Sequence, residues 1–227
     1  MELNSGIHKI DGVRGANCYL LPAADGLYLV DTGMPGNAQK ILQYLKAVGK
    51  NEKDLRMILL THSDMDHSGS AAELKRRTGA KIAIHEGDAP SLSGEKQLKK
   101  LKGLLGLLFR IMGKFMKFEK VAADVVLKDG EKVGPLTVIA TPGHTEGSVS
   151  FVSEAIRTIF VGDALRTTAD GNPTLSPKMM TLDMRKAWES AEKISKLTFD
   201  TMLPGHGEPV LQSAIERVRQ FVQKKGT

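Results

Sequence analysis

The chain has 227 residues, of which 41% are hydrophobic and 26% are charged, which is ordinary for a globular protein with one large core or two small ones. This composition excludes a largely disordered chain, and every stretch of about 20 residues contains charges that exclude a bilayer-spanning helix. The 32 basic and 26 acidic residues give a net charge of +6, which favours anionic partners only where the charge is concentrated.

The compartment is indicated by the first residues and by cysteine usage. The start MELNSGIHKI lacks the apolar stretch of a secretory signal. Cys18 is the only cysteine in the sequence, so no intrachain disulfide can form. We therefore expect a cytoplasmic protein in which Cys18 is a small buried hydrophobe.

The first third of the chain alternates short apolar runs with turn residues. NCYLL and GLYLV, separated by Pro22 and the Asp25-Gly26 pair, predict a hairpin of two strands. Helical spacing of apolar residues predicts a helix from Ala38 to Val48. The run RMILL predicts a strand, which is followed by a helix from Ser68 that Gly79 ends and by the strand KIAIH.

A basic and apolar segment, Glu95 to Glu119, then interrupts this alternation. It predicts one or two helices that form an insertion at about 90–120. Its leucines and phenylalanines exceed what a solvated helix needs, which favours a lid over the site or a homodimer contact. A helix packed on the core is the simpler alternative, and binding to a membrane surface is a weaker one.

Strands resume after the insertion. Four are predicted, in ADVVLKDG, PLTVIATPGHT, GSVSFVS and IRTIFVGD. A helix from Met184 to Lys196, a strand in DTMLPGHG and a helix from Pro209 to Gln223 complete the chain. Two successive blocks of strands and helices without a linker rich in Pro, Ser or Gly predict an α/β sandwich in a single domain, residues 1–227.

Histidines and carboxylates follow five of the predicted strands. Thr61 to Gly69, THSDMDHSG, places two of each within six positions, and His85, His144, Asp163 and His206 end later strands. Loops after buried strands display binding groups rigidly. Imidazole and carboxylate without thiolate suit Zn, Fe, Mn or Co in a catalytic site and not a Cys-rich structural one. For His85 a structural role is favoured.

The motifs LVDTG, THSDMDHSG, TPGHTEGS, FVGDAL and LPGHGEP, in this order over residues 29–208, resemble the metallo-β-lactamase superfamily. The resemblance implies a four-layer αββα sandwich with a dinuclear metal site at one edge, between the two sheets. Its pattern of ligands assigns His62, position 64 and His144 to the first ion. It assigns Asp66, His67 and His206 to the second ion and makes Asp163 the bridge. It further implies that Asp31 supports the site by orienting a ligand.

The implied reaction is hydrolysis by a water that two divalent ions activate. Asp66 is the expected catalytic residue, which orients this water and passes its proton to the leaving atom. The expected substrate is a small molecule with an ester, lactone, β-lactam or phosphoester bond. Neither nucleic acid nor a membrane is an expected partner.

Position 64 departs from the family pattern, because Asp64 stands where the second histidine is usual. Zinc is the first expectation for both ions, but an oxygen-rich ligand set also suits iron or manganese at the site containing Asp64. Flavodiiron proteins of the superfamily carry a carboxylate at this position. The alternative function is therefore a non-hydrolytic diiron protein that handles oxygen or redox chemistry with a separate electron donor. In a further alternative, Asp64 only forms hydrogen bonds.

Overall fold

The first half of the chain builds a six-stranded sheet with helices on one face. The computed structural model describes residues 1–96 and 118–224. The strands are β1 (His8–Lys9), β2 (Tyr19–Ala23), β3 (Gly26–Val30), β4 (Leu55–Leu59), β5 (Lys81–His85) and β6 (Val125–Leu127). They lie in sequence order in the sheet, antiparallel from β1 to β3 and parallel from β3 to β6. The helices are α1 (Ala38–Ala47), α2 (Met65–Ser68), α3 (Ala71–Thr78) and α4 (Ala89–Ser93).

The second half builds a five-stranded sheet. Its strands are β7 (Lys132–Val133), β8 (Leu136–Ala140), β9 (Val149–Ser153), β10 (Thr158–Gly162) and β13 (Thr201–Pro204). Between β10 and β13 the chain forms a separate two-stranded ribbon of β11 (Arg166–Thr167) and β12 (Pro173–Thr174). The order in the sheet is β13-β10-β9-β8-β7, with only β10 and β13 parallel. Helices α5 (Met184–Ile194) and α6 (Ala214–Gln223) follow in this half.

Three apolar clusters divide the molecule into four layers. One cluster joins the inner side of α1 and α3 to the first sheet through residues such as Ile41, Leu74 and Ile58. A second joins the two sheets, and a third joins the second sheet to α5 and α6. Side chains alternate accordingly along a strand: Phe151 faces the first sheet, whereas its neighbour Val152 faces the helices. The αββα sandwich predicted from the sequence is therefore confirmed.

Most predicted elements form, with differences at their ends. The hairpin of β2 and β3 and the helix α1 lie where the sequence placed them. The helix expected from Ser68 is instead two pieces, because the chain already turns helical at Met65 and breaks at Gly69 and Ser70. The last helix begins at Ala214 and not at Pro209, because Val210 pairs with Met202 at the sheet edge.

The predicted helical insertion lies mostly outside the described residues, which resume at residue 118. Its roles as a lid or homodimer contact stay predictions, as does the single-domain organisation. No helix in the described part of the chain has the length and apolar character needed to cross a membrane.

Candidate metal centre

The candidate site lies where five strands end at the same edge of the sandwich. Asp31 follows β3, His62 follows β4, His144 follows β8, Asp163 follows β10 and His206 follows β13. The parallel pairs align these ends, since Val30 is opposite Leu59 and Gly162 is opposite Pro204. Residues more than a hundred positions apart therefore share one edge.

The loop after β4 carries four of the predicted ligands. His62 and Asp64 precede α2, and Asp64 has extended backbone angles at the N-terminus of that helix. Side chains two positions apart on extended backbone point to the same side, which directs His62 and Asp64 together. Asp66 and His67 lie within α2, whose helical turn brings them back toward the same centre.

The predicted ligands assemble into two groups. The first group is His62, His144 and Asp163, and the second group is Asp66, His67 and His206. Within each group, one candidate ligand atom from every residue lies within 4.8 Å of the others. Three nitrogen or oxygen donors at this spacing suit a divalent transition-metal ion.

Asp163 faces both groups. Its Oδ2 lies 3.6 Å from His144 Nε2, on the side of the first group. Its Oδ1 lies 3.3 Å from His67 Nε2 and 3.5 Å from His206 Nε2, in the second group. A carboxylate with one oxygen toward each group is placed as a shared ligand would be.

Asp64 reaches the first group. Its Oδ2 lies 3.1 Å from His144 Nε2 and 3.8 Å from His62 Nε2. The shorter side chain therefore still brings an oxygen beside the imidazole nitrogens. Ligation by Asp64 stays a prediction, as does the alternative that Asp64 only forms hydrogen bonds, since the contact with His144 has hydrogen-bonding distance.

Asp31 orients His67 from beneath the site. Its Oδ2 lies 2.7 Å from His67 Nδ1 and accepts a hydrogen bond from Thr61 Oγ1 at 2.8 Å, while Oδ1 accepts one from the Thr61 amide at 2.9 Å. An Nδ1–H donated to the carboxylate leaves Nε2 directed at the second group. The Asp31 backbone has a φ of +58°, a conformation uncommon for residues other than glycine, which indicates that this placement is enforced by its surroundings.

A close backbone approach makes room for the second group. A Cβ on Gly205 would lie 2.5 Å from His67 Cε1 and 2.9 Å from Asp163 Oδ1. Only glycine allows the loop before His206 to pass this close to the imidazole ring. The glycine before the last histidine is thus required by packing around the site.

The carboxylates and imidazoles shift one another's ionisation. Burial raises the pKa of Asp66, but the hydrogen bond from His206 and the charge of His67 outweigh it and lower this pKa to about 2. Burial lowers the pKa of His62 well below its usual range. Burial also opposes charge on His67, yet Asp31 and Asp163 hold its pKa well above the usual range. Positive charge is therefore favoured at His67, between Asp31 and Asp163, and disfavoured on the His62 ring itself.

The donor set fits divalent metal ions. His62 Nε2 and Asp163 Oδ1 are buried, and neither has a hydrogen-bond partner among the described residues. Buried polar atoms in proteins normally have a partner, and a bound ion is one that would satisfy both. The four carboxylates Asp31, Asp64, Asp66 and Asp163 carry the charge that two divalent cations would balance.

Two histidines lie outside both groups. His85 Nδ1 accepts a hydrogen bond from the Gly87 amide at 3.2 Å, which agrees with a structural role. His8 Nδ1 is 3.1 Å from the Tyr44 hydroxyl, and neither residue belongs to a site loop.

Sequence reasoning did not single out Asp88, whose carboxylate accepts the backbone amides of Ser63 and Gly147. An acidic residue in HEGDAP, directly after the strand that ends at His85, is the one signal that could have marked it.

An αββα sandwich with paired histidine and carboxylate groups at one edge is typical of metal-dependent hydrolases. The family model of the metallo-beta-lactamase superfamily matches residues 11–206. The chain belongs to that superfamily, and membership supports a metal-dependent hydrolase in general terms.

Relatives extend over most of the chain. The Bacillus subtilis protein YobT is 33% identical over 92% of this chain and 89% of its own length. YflN of the same species, described as a probable metallo-hydrolase, is 27% identical over 92% and 86%. A hydroxyacylglutathione hydrolase of Bdellovibrio bacteriovorus is 28% identical over 74% of this chain but only 54% of its own length.

Solved structures agree on the fold. BJP-1, a subclass B3 metallo-beta-lactamase of Bradyrhizobium japonicum, matches with a TM-score of 0.74 at 24% identity, over 100% of this chain and 91% of that one. The metallo-beta-lactamase family protein TTHA1429 of Thermus thermophilus matches with a TM-score of 0.73 at 22% identity, over 97% and 79%. At these identities the likeness shows the shared architecture.

Proposed function

We propose that this chain is a hydrolase that uses a dinuclear metal centre to activate water against an ester, lactone, β-lactam or phosphoester bond of a small molecule. The observation that carries the proposal is the Asp163 carboxylate, which presents one oxygen to each of two compact donor groups. Isolated acidic residues do not account for such an arrangement, whereas a shared ligand between two ions does.

The ligand assignment follows from these positions. In this assignment the shared carboxylate is Asp163, and Asp64 joins the first group because of its closeness to the imidazole nitrogens. The first ion would then be held by His62, Asp64, His144 and Asp163, and the second by Asp66, His67, His206 and Asp163.

The two donor groups would hold two divalent ions, which would supply a bound water of near-neutral pKa and a Lewis acid for the oxygen of the bond to be cleaved. Zinc is our first assignment, because imidazole nitrogens and carboxylate oxygens are common zinc ligands in catalytic sites. Iron or manganese is the alternative at the first group, because Asp64 replaces a nitrogen donor by a harder oxygen donor.

In this proposal Asp66 handles the proton. Its side chain is about one-third exposed, and its Oδ2 lies 3.2 Å from His206 Nε2. With a pKa of about 2 the carboxylate is ionised at neutral pH, so it can accept a hydrogen bond from the attacking water and orient it. The proton that the water loses then passes to the leaving atom, so that water adds across the cleaved bond.

A pocket beside Asp64 offers room for the substrate. Its lining includes Ser91, Thr145 and Leu182, together with Lys96 and Glu146, which form an ion pair at 2.5 Å. A lining that combines polar and apolar residues suits a small molecule with a polar head and a hydrocarbon part.

Elemental analysis of the purified protein, followed by an activity screen with the metal found, tests the proposal. We expect two ions per chain, turnover of at least one ester, lactone, β-lactam or phosphoester, and loss of turnover on chelation. Asp66→Asn should lower kcat by about 10²- to 10⁴-fold, the usual size of a lost proton-transfer group. Asp129→Asn, at an exposed carboxylate paired with Lys193, is the control that should retain activity.

The position of Asp64 favours a second candidate, a non-hydrolytic diiron protein with a separate electron donor. It predicts two irons, an absorption spectrum that changes on reduction, and no turnover of the hydrolytic panel. That combination of results would refute the hydrolase proposal.

A further inference from the structure

The carboxylate of Asp88 links the two loops that carry the first group. Its Oδ2 accepts a hydrogen bond from the Ser63 amide at 2.7 Å, and its Oδ1 accepts one from the Gly147 amide at 2.8 Å. Ser63 lies between His62 and Asp64, and Gly147 lies three positions after His144. One side chain therefore fixes both loops at once.

This linkage lies at a point of direct backbone contact. A Cβ on Gly87 would lie 2.9 Å from the Gly147 Cα, and a Cβ on Gly147 would overlap the Asp88 amide. Asp88 itself is only 3% exposed. The loops are thus packed without intervening side chains, and any change in the carboxylate is transmitted to their spacing.

Helix capping does not explain Asp88. It occupies the N-cap position of α4, where aspartate commonly accepts an amide of the first helical turn. Its side chain makes no such bond, and both oxygens instead accept amides from other loops. The carboxylate therefore serves the loops of the site and not the local helix.

The two donor groups are supported by different carboxylates. Asp31 accepts hydrogen bonds from Thr61 and orients His67 in the second group. Within the described part of the chain, the hydrogen bonds to the Asp88 carboxylate come from Ser63 and Gly147, and none comes from the second group. Asp88 is thus expected to act on one group alone.

We propose that Asp88 is a positioning residue that sets the spacing of the loops carrying His62, Asp64 and His144, and thereby the affinity of the first group for a divalent cation. The inference rests on the proposed metal site. Outer contacts that orient metal ligands typically change metal affinity by about 10- to 100-fold when they are removed.

Calorimetric titration of the chelator-treated protein with Zn²⁺ alone tests this role. Asp88→Asn keeps the size of the side chain and one acceptor, but turns an NH₂ toward a backbone N–H; Asp88→Ala removes both acceptors. We expect one of two ions to bind about 10- to 100-fold more weakly in Asp88→Asn, and the other to bind as in the unmodified chain. If Asp88→Ala does not fold, Asp88→Asn decides the outcome.

The matched control is Asp124→Asn. Asp124 Oδ2 accepts the Ile82 amide at 2.8 Å near the opposite end of β5, and Oδ1 pairs with Lys75. This variant loses the same kind of bond at a distance from the site and should bind both ions normally.

Backgrounds with one ion identify the group affected. In His206→Ala, which keeps the first group, Asp88→Asn should weaken the remaining ion; in His144→Ala, which keeps the second group, it should have no effect. Unchanged binding of both ions, equal weakening of both, or the same effect in Asp124→Asn would overturn the inference. Absence of any ion in the unmodified chain would instead overturn the proposed metal site.

Discussion

Replacing Asp31 by Asn tests how the second group is held. Asp31 is 2% exposed, and its carboxylate contacts His67 Nδ1 at 2.7 Å, Thr61 Oγ1 at 2.8 Å and the Thr61 amide at 2.9 Å. An Asn NH₂ facing His67 would donate to Nδ1, which favours the tautomer with the proton on Nε2. That proton would occupy the lone pair that a metal ion requires.

The size of the effect follows from the bond that is lost. A hydrogen bond to a charged group contributes about 1.5–3 kcal/mol. At about 1.4 kcal/mol for each factor of ten, this corresponds to roughly 10- to 150-fold weaker binding of the second ion. The range agrees with the roughly 10- to 100-fold changes known for groups that orient metal ligands.

Zn²⁺ titration of the metal-free protein measures this loss, and thermal unfolding of the same samples reports any general damage. Asp129→Asn is the control, because Asp129 also accepts a backbone amide, that of Ala140 at 2.7 Å, but is exposed. Two ions bound by Asp31→Asn with unchanged affinity would refute the orienting role. Weakening of the first ion alone would equally refute it.

Three further predictions concern position 64, the lone thiol and the core. Asp64→His should raise zinc affinity at the first group, because imidazole is longer and is a preferred zinc ligand; identical metal content and affinity would show that position 64 does not ligate. Burial raises the pKa of the Cys18 thiol well above its usual range, so iodoacetamide at pH 8 should modify Cys18 only after the chain unfolds. Mass spectrometry measures this modification, and rapid labelling of the folded chain would contradict the prediction. Phe160→Ala should lower the free energy of unfolding by about 3–5 kcal/mol, since this ring is fully buried between the sheets against Tyr19; a loss below 1 kcal/mol in denaturant titrations would disagree.

The sequence marked the chemistry of the site because that chemistry lies in short contiguous motifs. THSDMDHSG placed His62, Asp64, Asp66 and His67 on one loop, and the structure keeps all four at the same centre. The close passage of Gly205 beside the His67 ring was not predicted, because it depends on a contact between distant parts of the chain. Periodicity located most strands, since alternation along a strand reflects which sheet face is buried.

Element boundaries depended on longer-range contacts. Nothing in SGSAAELKRRTG indicates that the chain already turns helical at Met65. Likewise, nothing in the residues around Val210 indicates that Val210 pairs with Met202. Both outcomes follow from neighbours that local propensity does not include.

By itself, the sequence determined the donor types, their order and, through resemblance, the sandwich that carries them. The grouping of the donors was already implied by the resemblance, but only the tertiary structure brought them within 4.8 Å of one another and turned one Asp163 oxygen toward each group. Only the tertiary structure, too, linked the loops of the first group through Asp88. The Asp88 to Gly147 bond spans 59 positions and the approach of His67 to His206 spans 139. Such contacts form because strands distant in sequence end at one edge of a packed sheet, and no local pattern of residues records that proximity.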